Sequence, residues 1–248
     1  MSLPECTLVP VAERPDLEAL VPELFAEHWP EFIFHDLGVK PYVARRAEYF
    51  GDLDFWALDA AGRLVGCCYG VPIAWDGTVE DLPSGYTESL ARSVTGHEDG
   101  VAADTLVVMG AMVRGDEQGR GWASAVLLAL RAAGVARGLS RVIAPVRPTT
   151  KSRYPLTPIE EFMSWTREDG LPLDPWLRTH ARLGATVIAP APRSQTMTGT
   201  VAEWESWTGL PLPGSGDYVI PDGLAVLHVD RDADRGTYDD PNVWMRHL

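Results

Sequence analysis

The chain has 248 residues, 46% hydrophobic and 23% charged, with a formal net charge of −14. Length and composition suit a globular protein of one large domain or two small ones, with a sizeable core. The acidity excludes general nucleic-acid binding, which needs clustered Lys and Arg, and no apolar run approaches the roughly 20 residues of a membrane span.

Thr7 to Val11 is a candidate first strand, and Arg14 to Phe25 carries Leu17, Leu20, Val21 and Leu24 at helical spacing, with Pro15 suited to a first turn. Trp29, Phe32 and Phe34 make His28 to Phe34 rich in aromatics, and Val43 to Phe50 is a second short helix. Phe55–Leu58 and Leu64–Val71 flank Asp59-Ala60-Ala61-Gly62, a hairpin signal. The second of these strands is apolar throughout and so central in its sheet. Cys67 and Cys68 within it point to opposite faces and make a poor disulfide pair. With Cys6 the only other cysteine and no signal-type segment at Met1 to Cys6, a reduced, cytoplasmic protein is expected. Asp76 to Gly100 is polar and glycine-containing, and reads as a long loop with a short helix near Tyr86 to Ser93.

The most informative stretch follows. Thr105 to Val113 is a short apolar run with β-branched residues, a buried strand. After Gly121 the chain turns Ala- and Leu-rich with no Pro before Pro145, a helix apolar on most faces. Between them lie Gly115, Gly119 and Gly121. Glycines admit close backbone approach, and a helix start offers free N–H groups and a positive dipole end, so strand, loop and helix together make a phosphate site. No Gly-Lys-Ser/Thr occurs, which excludes a Walker loop, and Ser124 stands at the third glycine position of a dinucleotide fingerprint. From Arg114 to Arg153 there are eight basic residues and two acids, a local excess of +6 that leaves −20 elsewhere and supplies a field for an anionic ligand.

Arg141 to Val146 is the next strand, with Pro145 near its end. Pro148, Pro155 and Pro158 then break regular structure. Thr157-Pro158-Ile159-Glu160-Glu161 starts a helix to about Trp165, and Asp174-Pro175 starts another that stops at Gly184. Ala185 to Ala189 is a strand, Thr200 to Thr208 a short helix with Trp204 and Trp207 on one face, and Leu224 to Val229 a strand followed by an acidic loop and tail.

Gln118-x-x-Gly121-x-Ala123, placed between a strand and a helix start, resembles the Q/R-x-x-G-x-G/A signature of the GCN5-related N-acetyltransferase (GNAT) superfamily. The resemblance implies an α/β (α+β) fold with a mixed, mostly antiparallel central sheet flanked by helices. It implies one domain over residues 1–248, with insertions at about 147–173 and 190–222 and a C-terminal tail at 230–248. It implies acetyl-CoA, or another acyl-CoA, as co-substrate and no metal. Gln118, Gly119, Arg120, Gly121, Trp122 and Ala123 would hold its pyrophosphate. Ala111, Met112 and Val113 would line the strand whose backbone supports the thioester oxyanion. In that family the region after the first helix often lines the acceptor pocket, a role open to His28–Phe34 beside plain core packing.

His180-Ala181-Arg182-Leu183-Gly184-Ala185 is similar to a family helix ending in which a Tyr stands four residues before the Gly and can protonate the leaving thiolate. His180 takes that Tyr position and is the candidate catalytic acid. Two departures stand out: Ala185 replaces the usual Phe, and Pro145-Val146-Arg147 replaces an Asn common at the end of the preceding strand.

The activity implied is acyl transfer from CoA to an amine of a small molecule or peptide. The alternatives are a catalytically silent acyl-CoA-binding module and other CoA-thioester chemistry, O-acyl transfer or decarboxylation. Glu48, Asp104, Glu160, Glu161 and Glu203 are unranked candidates for the base. No H-x-x-x-H or C-x-x-C pair and no G-x-S-x-G is present, so neither a metal site nor a nucleophile elbow is supported. Neither nucleic acid nor membrane is an expected partner, and oligomeric state stays open, a homodimer among the options.

Overall fold

The computed structural model describes residues 3–22 and 29–247. Among these, nine strands form one sheet: β1 (Thr7–Pro10), β2 (Asp54–Leu58), β3 (Leu64–Ile73), β4 (Thr105–Val113), β5 (Arg141–Val146), β6 (Thr186–Gly199), β7 (Gly216–Val219), β8 (Val226–Asp230) and β9 (Arg235–His247). Their order is β1-β2-β3-β4-β5-β9-β8-β7, with β6 along the other side of β9. All pairs are antiparallel except β4 with β5.

Helices cover both faces, which is why β3 and β4 are apolar in nearly every position. On one face α3 (Trp122–Ala136) packs Val126, Leu127 and Leu130 against Leu106 and Val108 of β4 and Val142 and Ala144 of β5. The short α4 (Ile159–Phe162) and α5 (Pro175–Arg182) join that core. On the other face α1 (Lys40–Phe50) and α2 (Tyr86–Glu98) bury Phe50, Leu90 and Val94 against Val107, Met109, Ile143 and Trp244. A smaller core beyond them gathers Phe32, Trp204 and Tyr238 around α6 (Val201–Thr208), whose Thr200–Glu203 capping box fixes its start.

Several expectations change. The helix in the Asp76–Gly100 loop runs 13 residues, to Glu98. The central helix buries one face only, and Leu128 and Val135 lie exposed. The strand expected at Ala185–Ala189 continues to Gly199, and its Pro190 and Pro192 are tolerated because β6 pairs on one side alone. Residues Pro15–Leu20 form a 3-10 turn, while the rest of that candidate helix, 23–25, and His28 lie outside the described residues. The largest correction concerns the tail. Residues Arg235–His247 are β9, flanked by β5 and β6 in its C-terminal half and by β8 and β6 in its N-terminal half. Asp240 and Asn242 are buried in it, so the strand lacks the apolar pattern that would announce it.

Candidate active site

The parallel ladder between β4 and β5 has three rungs, Thr105–Arg141, Leu106–Val142 and Val107–Ile143. Beyond them β4 stays with β3 as far as Val113 and β5 stays with β9 as far as Val146, so the two strands part. Where they part, β4 carries a bulge: Tyr69 opposes Gly110 but Gly70 opposes Val108, leaving Met109 unpaired. Such a bulge bends its strand. Gly110 is required here, since a Cβ would lie 2.6 Å from the Tyr69 ring. The Arg114 N–H is given to the Val65 carbonyl on β3. Backbone polar groups alternate sides along a strand, so Met112 also faces β3 and Ala111 and Val113 turn their N–H and C=O groups into the split.

At the open end of the split the glycine loop enters α3. Gly115–Glu117 is a 3-10 turn, Gly119 and Gly121 have φ of +75° and +90°, and no side chain caps the helix start. Its first N–H groups are therefore available to an anion. Glu117 is the loop's anchor. It is 5% exposed and accepts from Arg63, from Arg120 Nη1 (3.2 Å) and from Trp122 Nε1 (3.0 Å). The Arg63 guanidinium beside it holds its carboxyl below the usual range. A Cβ on Gly121 would lie 3.2 Å from Pro4 and 3.3 Å from Leu3, so the N-terminal segment passes close by.

Five of the segment's eight basic residues are paired with acids. Arg114 pairs with Asp116, Arg120 with Glu117, Arg137 with Asp52, Arg141 with Asp104 and Arg147 with Asp240.

The opposite face of the split is polar and built from distant segments. Trp29 donates its Nε1–H to Met112 Sδ (2.9 Å), and its ring centroid lies 5.7 Å from the Arg147 guanidinium carbon, so it spans from β4 to the residue after β5. Arg147 Nε donates to both oxygens of the fully buried Asp240 (3.2 and 3.0 Å), and Nη2 to Asp240 Oδ1 (3.1 Å) and the Asp222 carbonyl (3.0 Å). Tyr238 donates to Asp240 (2.8 Å) and accepts from the Leu224 N–H (2.7 Å). Lys151 is buried too, giving its protons to the carbonyls of Leu224 (2.6 Å) and Tyr154 (2.8 Å). Asn242 Nδ2 donates to Pro145 O (3.1 Å) and Ser194 Oγ (2.8 Å), while its buried Oδ1 has no partner. The Tyr69 and Tyr86 hydroxyls bond to each other beside the bulge.

No family model matches the chain. It is 29% identical over 277 aligned positions to arginine N-acetyltransferase avaD of Aspergillus versicolor, covering 98% of this chain and 94% of that protein. The chain's fold is that of the GNAT structures. Two solved structures share the fold. The loading GNATL domain of CurA from Lyngbya majuscula superposes with TM-score 0.59 at 15% identity, covering 99% of this chain and 98% of that one. The GphF GNAT-like decarboxylase in complex with isobutyryl-CoA superposes with TM-score 0.58 at 17% identity, covering 98% of each.

The residues singled out for the cofactor fall into two sets. Gln118, Gly119 and Arg120 are exposed on the loop, Gly121 and Ala123 are half-buried at the helix start, and Trp122 is a buried strut bonded to Glu117. Ala111 and Val113 face the split, and the Met112 side chain carries Trp29.

His180 lies elsewhere. It is 1% exposed, its Nδ1 is 2.9 Å from His247 Nε2, the Trp176 ring stands edge-on at 4.5 Å, and its Nε2 has no partner. Burial pushes its pKa down to about 3 and that of His247 down to about 4, so both rings are neutral at neutral pH. His247 lies on β9 opposite Val142, across β5 from β4 and one residue short of where the β4–β5 ladder ends. The glycine loop stands at the open end of the split.

Of the candidate bases, Asp104 pairs with Arg141, Glu203 closes the capping box, and Glu48, Glu160 and Glu161 are exposed. None of the five is brought to the split. The polar residues that are (Trp29, Tyr69, Tyr86, Arg147, Asn242) carry no motif, and the one sequence hint was Arg147 in place of the family's Asn. Among the described residues no cluster of His, Cys, Asp and Glu could hold a metal, and no helix is long and apolar enough to cross a membrane.

Proposed function

We propose that this protein is a GNAT-superfamily, acyl-CoA-dependent N-acyltransferase that moves an acetyl or other short acyl group onto an amine of a small basic molecule. The observation that carries the reading is the split between β4 and β5. It has an uncapped helix start at its mouth on one face and a polar wall on the other. The similarity to an arginine N-acetyltransferase along nearly the whole chain supports both the reaction and an amino-acid-like acceptor.

The residues present fit a CoA thioester. The loop from Gln118 and the first N–H groups of α3 would take its phosphates. Ala111 and Val113 would offer edge-strand N–H and C=O groups to its amide-bearing arm. Bound there, the acyl-CoA supplies an activated carbonyl and a thiolate leaving group. The chain orients both and excludes water from the closed end, where Leu106, Val107 and Ile143 are fully buried. His180 remains the donor we assign to the leaving sulfur. At its low pKa the service is hydrogen bonding from a neutral Nε2–H, not proton delivery by an imidazolium. That tautomer requires His247 Nε2–H to donate to His180 Nδ1.

The test is purified protein with acetyl-, propionyl- and isobutyryl-CoA against amines led by L-arginine, reading free thiol and product mass. Thiol release that depends on the amine, with a product heavier by one acyl group, is expected. Binding of CoA with no turnover on any amine would leave a silent binding module, and carbon dioxide release from a carboxyacyl-CoA would point to decarboxylation.

A further inference from the structure

We propose that Arg147, backed by Lys151 and roofed by Trp29, forms a carboxylate subsite that makes the acceptor an amino acid and not merely an amine. This rests on the acyl-transfer reading above. The first observation is placement. Val146 packs into the α3 core, so Arg147, the next residue along, turns to the opposite face, away from the glycine loop. Trp29 ties it to Met112 across the mouth of the split. A ligand group meeting Arg147 is thus on the acceptor side of the strands and not among the cofactor's phosphates.

The second observation is charge. Among the described residues, Asp240 is the carboxylate that faces both Arg147 and Lys151. Asp222 joins through its carbonyl while its side chain is turned to solvent. Two cations around one anion leave one positive charge without a counter-charge at a largely desolvated place, in a chain whose net charge is −14. Uncompensated buried charge is costly, and an anionic ligand group relieves it.

The third observation is free donor capacity. Arg147 uses Nε and Nη2 on Asp240 and Asp222, the Tyr238 hydroxyl stands close to the guanidinium as well, and no hydrogen bond from Nη1 is found among the described residues. The side chain keeps 14% exposure, enough to be reached. Because Asp240 and the Trp29 ring fix the guanidinium plane, the free edge is pre-oriented for a carboxylate oxygen, which lowers the entropy lost on binding.

Three acceptors differing in one group test this: L-arginine, L-argininamide (carboxylate made neutral) and agmatine (carboxylate removed). A charge-assisted bond of this kind is worth about tenfold to a hundredfold. L-Arginine should exceed both analogues by that factor in kcat/KM, chiefly through KM. The double variant Arg147→Gln/Asp240→Asn removes the ion pair together and leaves Lys151 on the carbonyls of Leu224 and Tyr154. It should bring the three acceptors to within about threefold of one another, and Arg147→Lys, which keeps the charge and loses the fork, should fall between. Titration calorimetry of L-arginine and agmatine in the presence of CoA gives the same comparison without turnover. Equal use of all three acceptors, with acyl transfer intact, overturns the subsite and leaves the function standing. No transfer to any amine overturns the function, and calorimetry then judges the subsite alone: unchanged preference in the double variant, or no binding of either ligand, overturns it.

Discussion

The glycine loop and the acceptor face occupy the same split and are built in opposite ways. The loop is eight consecutive residues, Arg114 to Gly121, and what it offers a ligand is backbone: two glycines at positive φ and a helix start with free N–H groups. The acceptor face draws Trp29, Tyr86, Arg147, Ser194, Asp240 and Asn242 from segments far apart in the chain, and offers buried side chains each held by another. A backbone site is local and survives changes to its side chains. A side-chain site is part of the core, so disturbing it disturbs folding. The two should therefore respond to substitution in different currencies, one in affinity and the other in stability.

The sharpest contrast is Asp240→Ala. It strands a buried guanidinium, and removing one partner of a buried pair costs about 3–5 kcal/mol. Urea denaturation should show that loss, and the Arg147→Met/Lys151→Met/Asp240→Leu change, which removes all three charges, should lose far less. A drop below about 1 kcal/mol in Asp240→Ala would mean the face is not a structural unit.

On the loop, Gly121→Glu should cut CoA affinity by at least about a hundredfold, equivalent to ~3 kcal/mol, because it sets a carboxylate at the helix start. The strain of a positive φ costs stability only about 1–2 kcal/mol. Gly119→Ala has the same strain, but nothing lies within 4 Å of its Cβ, so it should keep CoA binding while losing similar stability. Calorimetry and melting on both variants separate the effects, and equal loss of CoA binding in the two would break the comparison.

Acid should find the histidine pair before it finds the loop. His180 and His247 sit at about 3 and about 4 when folded, against 6.5 ordinarily. Lowered folded values mean the unfolded chain takes up protons first. The stability these rings contribute is whole above about pH 6.5 and drains as pH falls toward 4, at up to ~1.4 kcal/mol per pH unit for each ring. Denaturation midpoints at pH 7.5 and 5.5 should show the fall, and His180→Leu/His247→Met should flatten it. An unchanged slope in that variant would remove the histidines from the acid response.

For catalysis, His180→Ala should lower kcat about tenfold, the bottom of the range for a positioned donor, because a neutral ring can only donate a hydrogen bond. The acyl-CoA Kd should stay near the wild-type value, and His180→Tyr should keep more activity than the alanine variant. Losses that track melting temperature in both variants would reduce His180 to a core residue.

The smallest effect concerns salt. With Arg114, Arg120, Arg137, Arg141 and Arg147 all paired to acids, CoA affinity should weaken by less than about threefold between low and physiological salt. A steep decline would mean that those pairs open to meet the phosphates.

What could be read without the structure was everything whose cause is local. β4 and β5 begin and end where their apolar runs do. Gly62, with φ of +77°, turns the β2–β3 hairpin, and Asp174 caps α5 through the N–H groups of Trp176 and Leu177. The signature Gln118-x-x-Gly121-x-Ala123 marks its own loop because strand, glycine and helix start are neighbours in sequence. His180 could be located on its helix by register, but neither its burial nor its partner at the far end of the chain could, since His247 reaches it through β9.

β9 itself needed the tertiary structure. Arg-Gly-Thr-Tyr-Asp-Asp-Pro-Asn breaks the alternation that marks a strand. Its Asp240 and Asn242 can be buried only because Arg147, Ser194 and Pro145 O meet them from elsewhere. Local propensity and periodicity determined the elements and the phosphate loop, since a turn, a cap or an apolar stripe depends on residues a few positions apart. The split, the neutral histidine pair and the polar acceptor face were decided by tertiary contacts, because satisfying a buried charge or hydrogen bond takes partners that sequence spacing does not relate.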